Sequence, residues 1–213
     1  MDRGPEIAAL GDSARTAFEE KHRAREITIS ASRQAIQSCA ASIRATHRGE
    51  FDAAERLAKE ALEHVAEADE ALIGQPEVRT GGPLHDAKKE LAEAWLTLAL
   101  VRDQPLPGPD ELGIDVAPYC NGLAEAASEL RRQLLDRLRA GDMGRAETLM
   151  GAMDDVYSLL VTIDYPDGVT GGLRRTTDAL RSVLERTRGD LTTAMVAARL
   201  QSAIQSAQKA AGA

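Results

Sequence analysis

The stretch 91–101 (LAEAWLTLALV) limits the possible folds of this chain more than any other feature of its sequence. Its content of leucine and alanine favours a helix, and almost every position is apolar. A helix that lacks a solvated face must be buried, either within its own domain or by another subunit. Glu93 lies inside this stretch, so its carboxylate needs a partner, such as the nearby Lys88 or Lys89, or a metal ion.

The rest of the chain also has the composition of a helical protein. Aromatic residues make up only 3% of the sequence, whereas β-sheets favour aromatic and β-branched residues. Alanine and leucine, which favour helices, dominate the apolar residues. We therefore predict an all-α fold, with residues 1–213 forming a single bundle-like domain of six to seven helices.

Apolar spacing and helix-breaking residues place the expected boundaries. The expected helices cover about 14–48, 119–140, 142–163 and 173–210. A second helix is expected after Asp52, with apolar residues from 54 to 68, and a third, which includes 91–101, after a Gly/Pro-containing connection over 74–83. Gly49 is expected to end the first helix, and Asp52 to cap the second. The prolines between residues 105 and 118 predict a loop, and Gly189-Asp190 predicts an interruption of the last helix.

The charge of the chain restricts its partners. A formal net charge of −8 counts against a protein that simply coats nucleic acid, because phosphate contacts favour a basic surface. Any RNA binding must therefore use local clusters of arginine. The two cysteines have no metal-binding spacing, and no apolar stretch reaches the length of a signal peptide or a membrane span. The expected location is the reducing cytoplasm, with no membrane partner.

Two pairs of glutamates carry the most specific chemistry in the sequence. Glu90 and Glu93 are spaced i, i+3, and Glu125 and Glu129 are spaced i, i+4, so each pair shares one helix face. Helical bundles use such pairs on two helices to hold hard divalent cations. No histidine follows either pair at the spacing of di-iron sites, so Mg²⁺ or Mn²⁺ is expected rather than iron. For the second pair, spacing alone favours an ordinary solvated helix face.

The chain resembles the family of translin and translin-associated factor X, including its archaeal members. The resemblance covers nearly the whole chain and rests on the order and spacing of several blocks. These blocks are REIT at 25–28, SR at 32–33, ELAEA at 90–94, LGI at 112–114, GLAEAASEL at 122–130, AGD at 140–142 and GLRR at 172–175. The block at 90–94 resembles the Glu-x-x-Glu-Ala block of the factor X branch, which translin itself lacks.

This resemblance implies a ring- or shell-shaped homo-oligomer, an octamer or similar, that encloses nucleic acid. It also implies that Glu90, Glu93, Glu125 and Glu129 coordinate Mg²⁺ and cut single-stranded RNA by attack of water on phosphorus. One departure is the glutamate at position 125, where the family's acidic helix commonly has aspartate. No residue in the sequence is an obvious separate general base.

Phosphate contacts are expected from two groups of arginines, chosen by family resemblance and by position. These are Arg23, Arg25 and Arg33 on the first helix, and Arg174 and Arg175 at the beginning of the last. The guanidinium group suits phosphate because its donors form a planar fork. The alternative for each of them is a solvated helix face.

Three functions are open at this point. The favoured one is a Mg²⁺-dependent endoribonuclease that acts on short single-stranded RNA inside a homo-oligomeric cage, because all four glutamates are present. The second is a non-catalytic protein that holds single-stranded RNA or DNA in the same cage. The third is a helical scaffold for protein partners.

Overall fold

The computed structural model describes residues 2–75 and 82–211, and every regular element within them is a helix. The order is α1 (Gly4–Arg48), α2 (Phe51–Ala71), α3 (Pro83–Arg102), α4 (Pro109–Leu112), α5 (Val116–Arg139), α6 (Met143–Leu160), α7 (Asp167–Thr170) and α8 (Leu173–Ala211). Helices α4 and α7 have four residues each, and the other six have at least 18. The all-α prediction is confirmed. Most of the predicted connection over 74–83 lies outside the described residues.

Helix α1 is longer at its beginning than apolar spacing predicts. It begins at Gly4 rather than near Ala14, because Pro5 is well accommodated in a first turn and the next residues are good helix formers. It ends where predicted, before Gly49, whose φ of 75° is the left-handed conformation that glycine adopts without strain.

The predicted caps of two other helices have different outcomes. Asp142 caps α6, because its side chain accepts a hydrogen bond from the backbone amide of Arg145 at 3.1 Å. Asp52 does not cap α2, so that prediction is wrong. Glu50 occupies the N-cap position, and Asp52 lies in the first turn, where a negative charge favours the amide end of the helix.

Two prolines predicted to lie in a loop lie in the first turns of helices instead. Pro109 begins α4, and Pro118 falls in the first turn of α5, which begins at Val116. Proline is tolerated there because the amide it lacks would have no acceptor within the helix. The prediction of a continuous loop through residue 118 is therefore wrong.

Helix α8 continues through Gly189 and Asp190, so the predicted interruption is also wrong. Arg131 of α5 donates hydrogen bonds to the carboxylate of Asp190 at 2.8 Å and to the hydroxyl of Thr187 at 3.0 Å. These contacts hold this part of α8 against α5 and compensate for the low helix propensity of glycine.

Helix α3 lies at the centre of the fold, where it packs against α1, α2 and α5. Leu91, Leu96 and Leu98 are almost fully buried, so the apolar stretch 91–101 is covered by its own chain. On the other side of α3, α5 carries the core onward to α6 and α8. No helix in the described part of the chain is long and apolar enough to cross a membrane.

Gly122 allows α3 and α5 to approach each other closely. A Cβ at this position would lie 2.5 Å from the carbonyl oxygen of Lys89, 2.6 Å from the Cβ of Ala92 and 2.9 Å from the amide nitrogen of Glu93. None of these atoms can move without the helix that carries it. The contact therefore brings Glu93 next to the first turn of α5 after Gly122, which carries Glu125.

Gly122→Ala is expected to lower the free energy of unfolding by about 1–3 kcal/mol, because the added methyl group must push α3 and α5 apart. Chemical denaturation of the variant and the wild type measures this change. Gly151→Ala in α6 is the matched control, because a Cβ there meets nothing within 4 Å. The free energy of unfolding of the control should rise by about 0.5–1 kcal/mol, because alanine favours a helix more than glycine does. An equal rise in Gly122→Ala would contradict the close approach of α3 and α5.

Candidate metal centre between α3 and α5

Three carboxylates from two helices meet beside the Gly122 contact. Glu90 and Glu93 of α3 and Glu125 of α5 each place a carboxylate oxygen within 4.8 Å of the other two. Glu93 is buried, and the other two are half-buried. We call these three residues the carboxylate cluster. The structure thus brings three of the four glutamates predicted as metal ligands to one position.

The cluster holds more negative charge than its surroundings can easily accommodate. Glu93 is 8% exposed, and burial together with the charges of Glu90, Glu125 and Glu129 raises its pKa to about 9. Burial also raises the pKa of Glu90. At neutral pH, Glu93 therefore carries a proton, which a cation would replace.

Lys89 supplies positive charge next to the cluster. Its Nζ lies 2.9 Å from Glu125 and 3.5 Å from Glu90. Burial opposes the charged form of Lys89, but these two carboxylates outweigh it and raise the pKa of the ammonium group. Lys88 instead pairs with two aspartates, at 2.9 and 3.3 Å. Neither lysine forms an ion pair with Glu93 within the described residues.

Glu129 lies one helical turn beyond Glu125 and has a partner of its own. Its Oε2 is 2.6 Å from Nε2 of His47, at the end of α1. The amide nitrogen of Gln133 lies 3.3 Å from Nδ1 of the same imidazole. Because that nitrogen is a donor, Nδ1 accepts, and Nε2 carries the proton that it donates to Glu129.

His47 is the residue of this site that the sequence did not reveal. It is separated from Glu129 by 82 residues and belongs to no Glu-x-x-His pair. Its side chain is only 3% exposed. The local sequence indicates a helix end, because Gly49 follows two residues later, and a helix end gives no sign of a carboxylate partner.

Cys39 of α1 lies on the buried side of the cluster and is a free thiol. Burial, followed by the charges of Glu90 and Glu93, raises the pKa of this thiol. A protonated thiol is a poor ligand, and hard divalent cations prefer oxygen. The metal-binding groups that the cluster offers are therefore carboxylates.

The five predicted phosphate-binding arginines are all exposed: Arg23, Arg25, Arg33, Arg174 and Arg175. At about 100° of rotation per residue, Arg25 and Arg33 lie within about 40° of the direction of His47 around α1. Arg23 is turned about 120° from that direction. Among the described residues, none of the five forms an ion pair with the four glutamates of the site.

The beginning of α8 is attached to the beginning of α5. The hydroxyl of Thr176 donates to the side-chain oxygen of Asn121 at 2.6 Å, and the amide of Asn121 donates to the carbonyl of Thr170 at 2.8 Å. Asn121 is 2% exposed and lies one turn before Glu125. These bonds place the first turn of α8, with Arg174 and Arg175, at the end of α5 nearer the cluster.

Known proteins resemble this chain in both sequence and fold. No family model matches the chain. A protein of Methanocaldococcus jannaschii, the uncharacterised MJ0175, is 31% identical over 175 residues, which cover 81% of this chain and 77% of the relative. The structure of AfC3PO, an archaeal C3PO of translin type, in complex with duplex RNA is 32% identical. The two structures superpose with a TM-score of 0.80, over 87% of this chain and 96% of the AfC3PO chain. The chain belongs to the translin family.

Two further solved structures agree with this translin-family fold. The crystal structure of AfC3PO has a TM-score of 0.79 at 31% identity and covers 87% of this chain and 97% of its own. That of apo-NeC3PO has a TM-score of 0.72 over 91% of this chain and all of its own, and at 19% identity it shows the fold alone. The family resemblance that the sequence blocks indicated is confirmed.

The raised pKa of Glu93 makes the metal-free protein less stable as pH rises. Glutamate in the unfolded chain ionises near pH 4.5, whereas Glu93 in the folded chain ionises near pH 9. Between these values the folded state binds more protons than the unfolded state. The contribution of Glu93 to the free energy of unfolding therefore falls as pH rises from about 4.5 to about 9.

Glu93→Gln is expected to remove this loss of stability at high pH. In EDTA, the free energy of unfolding of the variant, relative to that of the wild type, should rise by at least about 1 kcal/mol from pH 5 to pH 8.5. Chemical denaturation at both pH values measures this change. Glu60→Gln, which neutralises an exposed carboxylate of α2, is the control and should follow the wild type. A Glu93→Gln effect that is the same at both pH values would show that Glu93 is ionised throughout.

Proposed function

We propose that this translin-family protein is a metal-dependent endoribonuclease that cuts short single-stranded RNA, with Mg²⁺ as its cation and Mn²⁺ as a substitute. The carboxylate cluster carries the proposal, because it brings together three oxygen donors from two helices, one of which, Glu93, is buried. RNA as the ligand is supported by AfC3PO, a relative of 32% identity whose structure contains duplex RNA.

The residues of the cluster fit a hard divalent cation. Glu90, Glu93 and Glu125 offer oxygen donors, which Mg²⁺ and Mn²⁺ prefer. The partly exposed side chains of Glu90 and Glu125 leave the cluster open to water and to a phosphodiester. These residues would hold a cation whose chemistry is to lower the pKa of water and to stabilise charge on phosphodiester oxygens.

A cleavage assay tests this proposal. Labelled single-stranded RNA, with duplex RNA and single-stranded DNA in parallel, is incubated with the protein in Mg²⁺ and in EDTA. The wild type should cut single-stranded RNA in Mg²⁺ only. Glu93→Gln should slow cleavage by about 100-fold or more while RNA binding persists, because a neutral amide replaces a charged ligand.

Glu60→Gln is the matched control for this assay and should cut RNA at the wild-type rate. Cleavage that continues in EDTA, or that Glu93→Gln does not slow, would place the activity outside the cluster. If the wild type binds no RNA even at low salt, where phosphate contacts are strongest, the helical scaffold becomes the better explanation.

The second candidate is a non-catalytic protein that holds single-stranded RNA or DNA, and Lys89 favours it. The ammonium group already neutralises part of the charge on Glu90 and Glu125. In this candidate the cluster is a structural ion-pair network, which needs no metal.

Lys89→Met separates the two candidates without any RNA. If the cluster binds Mn²⁺, removal of the competing positive charge should tighten that binding by about 10-fold, measured by calorimetric titration. If the cluster is a structural network, neither protein should bind Mn²⁺, and the variant should only lose stability. Lys59→Met, which breaks an exposed pair with Glu55, is the control and should change neither property.

We further propose that the protein is a homo-oligomer, an octamer or a similar ring or shell. Residues 4–23 of α1 and most of 192–211 of α8 extend beyond the packed helices and are largely exposed. Both segments carry exposed apolar side chains: Ile7, Leu10, Phe18, Val196, Leu200 and Ile204. Burial of these side chains between subunits would stabilise such an assembly by about 25 cal/mol for each Å² removed from water.

A further inference from the structure

We propose that Glu129 is the general base of the cleavage reaction rather than a fourth metal ligand, and that His47 and Gln133 position it. This assignment rests on the proposed nuclease function. It supplies a group that the four-ligand prediction lacks, namely one that takes the proton of the attacking water.

Glu129 is near the carboxylate cluster without belonging to it. The oxygens of Glu90, Glu93 and Glu125 meet within 4.8 Å, and Glu129 is not part of that group. Its charge still raises the pKa of Glu93, but less than the charges of Glu90 and Glu125 do. Residues spaced i, i+4 on a helix have Cβ atoms about 5–6 Å apart, so a water molecule next to Glu125 would be within reach of the Glu129 carboxylate.

The two oxygens of Glu129 have different surroundings. Oε2 accepts a hydrogen bond from His47 at 2.6 Å, and Oε1 has no hydrogen-bond partner in the described part of the chain. The Glu129 side chain is 37% exposed, so water reaches it. A carboxylate that is fixed through one oxygen and open at the other is arranged to accept a proton from a nearby water molecule.

His47 and Gln133 fix the orientation of this carboxylate. Both side chains belong to buried or nearly buried positions, and Gln133 is 7% exposed. The amide of Gln133 donates to Nδ1, which directs the proton of His47 from Nε2 toward Glu129. His47 therefore acts through Glu129, as a positioning residue, and does not touch the reacting atoms.

The proposed step uses water alone. As the water oxygen bonds to phosphorus, one proton of that water moves to Oε1 of Glu129. The bond from phosphorus to the leaving nucleoside oxygen breaks, and its electron pair stays on that oxygen, which takes a proton from solvent. Glu129 then releases its proton to solvent, and two RNA fragments result.

Metal binding distinguishes a base from a ligand even without a reaction. Mn²⁺ binding is measured by calorimetric titration on the full chain, for the wild type, Glu125→Gln and Glu129→Gln. Loss of a ligand in Glu125→Gln should weaken binding by at least about 10-fold, whereas Glu129→Gln should stay within about twofold of the wild type.

Single-turnover cleavage at saturating Mn²⁺ tests the base itself. Glu129→Gln should slow cleavage by about 10²- to 10⁴-fold, with unchanged RNA affinity. His47→Leu should slow it by about 10- to 100-fold at unchanged Mn²⁺ affinity. His47→Gln should recover most of this loss, because its amide places an N–H donor where Nε2 of the imidazole lies. Glu60→Gln is again the unchanged control.

Each remaining outcome overturns one particular statement. If Glu129→Gln weakens Mn²⁺ binding as much as Glu125→Gln does, Glu129 is a ligand and the assignment is wrong. If Glu129→Gln cleaves at the wild-type rate, Glu129 is not the general base, while the proposed nuclease function stands. Equal rates in His47→Leu and His47→Gln remove His47 from its positioning role. Absence of cleavage by the wild type overturns the proposed function itself, and the base with it.

Discussion

The contact of Gly122 with the backbone of α3 is the constraint on which the rest of the site depends. Because position 122 has no side chain, α5 lies directly against the peptide groups of Lys89 and Glu93, and Glu125 can reach the cluster one turn later. Ala92 and Ala126, both fully buried, keep the side chains between the helices small. Larger side chains would hold the two helices too far apart for their carboxylates to share a cation. The small, alanine-rich interior is therefore a geometric requirement of this site, in addition to favouring helices.

The charges of the site explain why this geometry suits a divalent cation. Three carboxylates and the ammonium group of Lys89 leave two negative charges, which equals the charge that one divalent cation supplies. Without the cation, a proton on Glu93 compensates part of this charge, because burial makes a third ionised carboxylate unfavourable. The fold thus accepts a locally unfavourable arrangement, and the packing of the apolar core around it offsets that cost.

Features contained within one helix could be predicted from the sequence, and features that join distant helices could not. The spacing of Glu90 and Glu93 and their apolar surroundings predicted a shared face with a buried carboxylate, because cause and consequence lie in the same helix. The contact between His47 and Glu129 depends on how α1 and α5 are placed in the bundle, and no local pattern encodes it. At Gly189 the local signal was misleading, because contacts with Arg131 outweigh the low helix propensity of glycine. Family resemblance reached further than these local patterns, since it combined Glu125 with Glu90 and Glu93 across 31 intervening positions.

An acidic chain can bind RNA if its positive and negative charges lie in different places. With a net charge of −8, the protein as a whole repels phosphate, and the carboxylate cluster repels it most at close range. Along α1, however, Arg25 and Arg33 lie on about the same side of the helix as His47, and Arg33 is about 21 Å from His47 along the helix axis. An RNA strand that runs along this side of α1 would meet the arginines first, and the carboxylates only where a cation would neutralise them. In the proposed nuclease, a cation bound at the cluster would remove the local repulsion of phosphate, and a phosphate bound there would offer the cation an oxygen ligand. Each ligand would then favour binding of the other by the same free energy, so in the proposed nuclease the cation would also strengthen RNA binding.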